Sequence, residues 1–214
     1  MKNASTLKSV VISLIAICFI SAGSYAQKPT AETFYQIGIQ NLENSEYSEA
    51  LDAFKHAVKL NPKYAEAHYQ LGNAYFKMHK YEEALGAYKK AVKYKPKFAD
   101  AHLAIGVLAS MLSKYDTATS AFIRVTKLKP KDVNAYYSLG NLYIELEKYE
   151  EAVKTFRKAV KVKPGYAEAR YQLGVAYLGL RDDLLESAKK EQYSLIKLNE
   201  KLAKDLQKQI KEKK

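Results

Sequence analysis

AEAHYQLGNAYFKMHKYEEALGAYKKAVKYKPKF occupies residues 65–98, and VNAYYSLGNLYIELEKYEEAVKTFRKAVKVKPGY occupies residues 133–166. Each stretch is 34 residues long, and the second begins two such lengths after the first. The same spacing runs through most of the chain. Pro62, Pro96, Pro130 and Pro164 keep it, as do Tyr47, Tyr81, Tyr115 and Tyr149. Gly38, Gly72, Gly106, Gly140 and Gly174 form a third column, and Ala50, Ala84, Ala118 and Ala152 a fourth. Phe54, Tyr88, Phe122 and Phe156 form an aromatic column, and Ala57, Ala91, Val125 and Ala159 a small-residue one. Within one period, Leu71 and Tyr75 lie four apart and so share a helix face. Gly72 and Ala84 are small where two helices must approach closely, and Tyr88 fills the space beside them. Pro96 cannot continue a helix and marks the turn into the next pair.

A fixed 34-residue period with these residue types resembles the tetratricopeptide (TPR) family. The second period carries the pattern as His68, Leu71, Gly72, Tyr75, Ala84, Tyr88, Ala91 and Pro96. The fourth carries it as Tyr136, Leu139, Gly140, Tyr143, Ala152, Phe156, Ala159 and Pro164. The resemblance implies an all-α fold, a right-handed helical-repeat solenoid of stacked helix pairs. One pair cannot bury its apolar face alone, whereas a stack can. The repeats are expected at 31–64, 65–98, 99–132, 133–166 and 167–199, after a short linker at 27–30. The fifth departs from the pattern: the column Tyr is replaced by Asp183, Ala188 arrives two residues late, and the closing turn at Leu198 and Asn199 lacks Pro. After it, Leu202, Leu206 and Ile210 recur every four residues among charged ones, so residues 200–214 read as an amphipathic capping helix and a basic tail.

The first 26 residues read as an address. A short basic start holds Lys2 and Lys8, the run from Val10 to Ile20 is apolar except for Ser13, and Ser24-Tyr25-Ala26 offers small residues for cleavage after Ala26. The run is too short for the roughly 20 residues of a spanning helix. Export to the periplasm or medium is therefore expected, with an uncleaved membrane anchor as the alternative. Cys18 lies inside this leader, so a cleaved chain has no thiol for a disulfide, a metal or a nucleophile.

The net charge is +12, and removing Lys2 and Lys8 lowers it to +10. Such a balance attracts anionic lipid, cell wall or nucleic acid. Nucleic acid is not expected, because no binding motif is present. No phosphate-binding glycine loop or nucleophile elbow appears either. His68 and His102 share a column in adjacent repeats, but two histidines without a third ligand make a poor metal site. The adjacent acids Glu82-Glu83 and Glu150-Glu151 suit helix N-termini, not a catalytic pair. Neither an enzyme nor a cofactor nor a metal is expected.

What remains is binding. The resemblance implies a concave groove lined by the first helix of each pair. Tyr35, Tyr69, Leu103, Tyr137 and Tyr171 form one lining column. Ile39, Asn73, Val107, Asn141 and Val175 form a second, and Leu42, Phe76, Ser110, Ile144 and Leu178 a third. Glu32, Glu66, Asp100, Asn134 and Glu168 rim it. Asn73 and Asn141 are candidates to hold a peptide backbone, having donor and acceptor together. The basic clamp of TPR cochaperones is missing from the corresponding columns. The expected ligand is a neutral or basic, apolar protein segment, and Tyr69 and Tyr137 are expected to serve it without carrying the packing between repeats. The alternative surface is the lysine-rich outer face, with Lys89, Lys90, Lys93, Lys95 and Lys97 in one repeat and Lys154, Arg157, Lys158, Lys161 and Lys163 in another.

Overall fold

The structure, a computed structural model, describes residues 28–180 and 185–213. Among the described residues there are eleven helices and no strand. The first pair is α1 (Ala31–Glu43) and α2 (Tyr47–Leu60), and the second is α3 (Ala65–Lys77) and α4 (Tyr81–Tyr94). Next come α5 (Ala99–Met111) with α6 (Tyr115–Leu128), α7 (Val133–Glu145) with α8 (Tyr149–Val162), and α9 (Ala167–Leu180) with α10 (Leu185–Ile196). A final helix, α11 (Glu200–Glu212), closes the stack. The leader and its cleavage point lie outside the described residues, as does Asp183.

Each pair is held by the columns that define the period. A Cβ at Gly72 would stand 2.5 Å from the ring of Tyr88, and at Gly106 2.7 Å from that of Phe122. The glycine is therefore a notch for the aromatic side chain of its partner helix. Ala50, Ala84, Ala118 and Ala152 are wholly buried where the helices cross. Leu71, Ile105, Leu139 and Leu173 are buried between one pair and the next.

Both turn types also repeat. The first helices of the first four pairs each end on a residue in the left-handed region: Ser45, His79, Ser113 and Glu147, with φ between 55° and 62°. The following amide bonds back five residues, as from Lys80 to the Tyr75 carbonyl at 2.9 Å. This closes the helix in the manner of a Schellman turn. The proline turns are four-residue turns with Pro second, closed by bonds such as Phe98 N to Lys95 O at 2.9 Å. The His68 column staples them from the next helix. His68 Nε2 lies 2.9 Å from the Pro62 carbonyl, His102 Nε2 3.1 Å from that of Pro96, and Arg170 Nε donates to that of Pro164 at 2.7 Å.

The fifth pair solves its packing differently. Lys190 occupies the aromatic column, so α10 brings no ring to Gly174. Leu206 of α11 fills that notch instead and is completely buried. The capping helix thus does more than cover the end of the stack. It supplies the side chain that the fifth repeat lacks.

Successive first helices touch one another: α1 meets α3, α5 meets α7, and α7 meets α9. Among the described residues no second helix makes comparable contact with the next second helix. The first helices are therefore the closer-spaced layer, and the array curves toward them.

Candidate binding surface

The inner layer is tiled by aromatic groups. Tyr35 packs on Phe54 and Tyr64, with ring centroids 5.9 and 5.1 Å away. Tyr69 packs on Tyr88 and Phe98 at 5.6 and 5.0 Å, and Tyr137 on Phe156 and Tyr166 at 6.1 and 5.4 Å. In each trio, the first ring comes from a first helix and the second from its partner helix. The third stands just before the next repeat. Each trio lies within one repeat, and its third ring ties the first helix to the turn that leads into the next repeat. Their column faces the groove, while their third partner belongs to a turn. That partner column, Tyr64, Phe98 and Tyr166, keeps the 34-residue spacing and was legible in the sequence.

The third repeat has no such trio. Leu103 stands in the tyrosine column, and Asp132 replaces the third ring. The Asp132 carboxylate instead caps α7, accepting from Ala135 N at 3.1 Å. Val107, one turn along α5, is 43% exposed and Met111 54%, so the middle of the inner face is open and apolar. Ser110 there donates to the Gly106 carbonyl of its own helix. At the end of the array, the Tyr171 hydroxyl accepts from Gln209 Nε2 of α11 at 2.7 Å.

The two asparagines differ in a way that the shared column conceals. Asn73 Oδ1 accepts from the Tyr88 hydroxyl at 2.7 Å, and its Nδ2 donates to Gln70 at 2.7 Å. Burial pushes the Tyr88 hydroxyl above its ordinary pKa, so it stays a donor. In the fourth repeat the ring beside Asn141 is Phe156, which has no hydroxyl. Asn141 Oδ1 is buried without a hydrogen-bond partner. A buried carbonyl oxygen with no donor costs about 1–3 kcal/mol, and a ligand N–H relieves that cost.

Phe76, on the last turn of α3, packs on Tyr81 at 5.6 Å. With Leu42, Ser45, Tyr47, Asn73 and Lys77 it lines a cavity of about 350 Å³. Ile144 is half-buried, packed against the core of the last repeats. Leu178, expected on the same column, is buried at 6% exposure and offers the groove nothing.

The acidic rim is largely engaged. Glu66 is paired with Lys95 at 2.6 Å, which chiefly holds its carboxyl below the usual range. Asp100 is paired with Lys129 at 2.7 Å, and that bond raises the lysine above its ordinary pKa. Glu32 accepts from the Tyr64 hydroxyl and from Gln36, which lower its pKa in that order. Exposed pairs contribute little to stability, but they cancel much of the negative field expected at the rim.

His68 and His102 engage the two different proline turns and do not converge on one ligand position. Among the described residues no group of three or more His, Cys, Asp or Glu side chains could hold a metal.

A family model described as TPR repeat matches residues 42–79, 72–111 and 140–180, together more than half the chain. A second, described as tetratricopeptide repeat, matches 121–154. No curated protein sequence matches significantly. Among solved structures, a crystal structure of MamA protein is similar, with 26% identity over 83% of this chain and 96% of that one, and a TM-score of 0.74. YrrB, described as a TPR protein with an unusual peptide-binding site, gives 24% identity, 85% and 94% coverage and a TM-score of 0.75. MamA from Desulfovibrio magneticus RS-1 gives 24% identity, 80% and 96% coverage and a TM-score of 0.68. At these identities the last two likenesses speak for the fold alone. The period, the notched helix pairs and the family match over half the sequence agree, and the chain belongs to the tetratricopeptide repeat family.

Proposed function

We propose that this protein is an exported interaction scaffold that holds a segment of a partner protein along its inner face, in the assembly of an envelope complex. The buried, unpartnered Oδ1 of Asn141 carries the reading. The oxygen is shielded from solvent, so a rotation of the Asn141 side chain toward the groove lets the backbone N–H of a peptide supply the missing donor. Toward the centre, the exposed Val107 and Met111 suit an apolar side chain of the same peptide. Leu103 and the tyrosines Tyr35, Tyr69, Tyr137 and Tyr171 present large contact area on a rigid base, which suits binding at low entropic cost. Because Glu66 and Asp100 are already paired, the ligand is neutral or weakly basic, with an apolar centre. Export with removal of residues 1–26 places the partner in the envelope or outside the cell.

The test is a photocrosslinking amino acid at Val107, with a matched one at Lys90 on the outer face, used in the native host. The expected result is one dominant crosslinked protein from position 107 and none of it from position 90. Asn141→Ala should then weaken binding of that protein by about tenfold, the worth of one buried hydrogen bond. Crosslinks from position 90 alone, or unaltered affinity of the variant, would remove the site from the groove. The mass of the exported chain reports the cleavage.

A further inference from the structure

The outer face of α10 is unlike that of the other second helices. Tyr193 is 67% exposed, Ile196 50% and Leu198, just beyond the helix, 43%. Elsewhere, large exposed apolar side chains are spread over α2, α5 and α8. Residues 189, 193 and 196 follow helical spacing, so they share one side of α10, and Lys197 follows directly after the helix. Lys189, Lys190, Tyr193, Ser194 and Lys197 line a shallow depression of about 480 Å³ there. Glu191 does not offset Lys190 and Lys197 at the surface. It is turned inward, 9% exposed, and paired with Arg170 at 2.9 Å.

The register of the fifth repeat explains why this face exists. The column alanine arrives two residues late as Ala188 and the column aromatic is replaced by Lys190, while Leu206 of α11 has taken the inner place. The core therefore makes no demand on the outer side of α10. Nevertheless, that side carries a tyrosine and an isoleucine between lysines. An aromatic ring and apolar side chains set among lysines match the interface of an anionic bilayer, where the ring sits at headgroup level and the ammonium groups meet phosphate. A second copy is a poorer occupant, because pairing this face with itself brings Lys190 and Lys197 against their own images on a chain of net charge +12.

We propose that the outer face of α10, built on Tyr193, Ile196 and Leu198 with Lys190 and Lys197 beside them, rests on an anionic lipid surface. The apolar groups enter the headgroup layer, and the groove faces away from the lipid for its protein ligand.

The test is sedimentation of the full chain with vesicles of phosphatidylcholine alone, or mixed equally with phosphatidylglycerol. The leader is common to every variant, so comparison between variants cancels its contribution. The unaltered protein should bind the anionic vesicles more tightly than the neutral ones. Lys190→Gln with Lys197→Gln should weaken anionic binding by roughly thirtyfold. Tyr193→Ser with Ile196→Ser should weaken it by about tenfold through lost apolar burial. All four positions are exposed or unneeded by the core, and circular dichroism checks that the helices persist. Equal binding to both vesicle types overturns the proposal. So does anionic binding that both double variants leave unaltered, or capture of an acidic protein at this face without vesicle binding.

Discussion

Gly86 and Gly106 both sit inside helices, and the same substitution should move stability in opposite directions at the two positions. A Cβ at Gly86 meets nothing within 4 Å, and the position is exposed on α4. Ala there gains helix propensity without a collision, about 1 kcal/mol of stabilisation. A Cβ at Gly106 stands 2.7 Å from two ring carbons of Phe122, where ordinary contact starts at 3.4 Å. The ring must therefore retreat by about 0.7 Å, the difference between those two distances. Phe122 is 2% exposed and packed in a cluster with Ile105, Leu108 and Leu139, so it has nowhere to go. Overpacking of this kind costs about 1–3 kcal/mol, against the same propensity gain of about 1 kcal/mol. Gly106→Ala should then be destabilising by about 1 kcal/mol, and Gly106→Leu by more. Urea unfolding measures the two changes. Hydrogen exchange should place the loss at Gly106 in α5 and α6, because contacts in such an array are between nearest neighbours. Adding Phe122→Leu to Gly106→Ala should cost less than the sum of the two, since the smaller side chain clears the notch. If Gly106→Ala proves as stabilising as Gly86→Ala, the glycine column is not a packing notch and the account of helix pairing fails.

Phe156→Tyr should restore in the fourth repeat the bond that Tyr88 makes to Asn73, raising stability by about 1 kcal/mol while weakening a partner that uses Asn141. A drop in stability would show that Asn141 Oδ1 cannot be reached from that ring. His68 is buried, its Nε2 faces the Pro62 carbonyl, its Nδ1 has no partner, its ring stacks on Tyr94, and Lys90 stands nearby. Burial, chiefly, and then Lys90 lower its pKa below 6.5, so the unfolded chain binds the proton more readily. The contribution of His68 to stability is therefore complete above the unfolded value and is lost as pH falls from there toward the folded one. Thermal melts between pH 7.5 and 5 should show a decline that His68→Gln flattens, and an unchanged slope in that variant would contradict it.

Stacked helix pairs were legible in the sequence because a notch glycine, an aromatic and a proline must recur wherever identical units meet identical neighbours. Columns also located the inner face, since residues 34 apart occupy equivalent places. They could not say how equivalent places differ. Asn73 and Asn141 share a column, yet one oxygen is satisfied and the other is not, because the deciding residue is a tyrosine or a phenylalanine on a different helix. The tyrosines of the first column looked like free contact surface, although a ring from the next turn holds Tyr69 and Tyr137 in place.

By itself the sequence determined the fold class, the five helix pairs and the cap, because local periodicity sets which face of each helix must be buried. Only the tertiary structure decided that Leu206 completes the fifth repeat, that lysines neutralise two of the rim acids, and that one buried oxygen lacks a donor. Each of these is a meeting of side chains far apart in the chain, and spacing along the chain carries no record of distance across a helix packing.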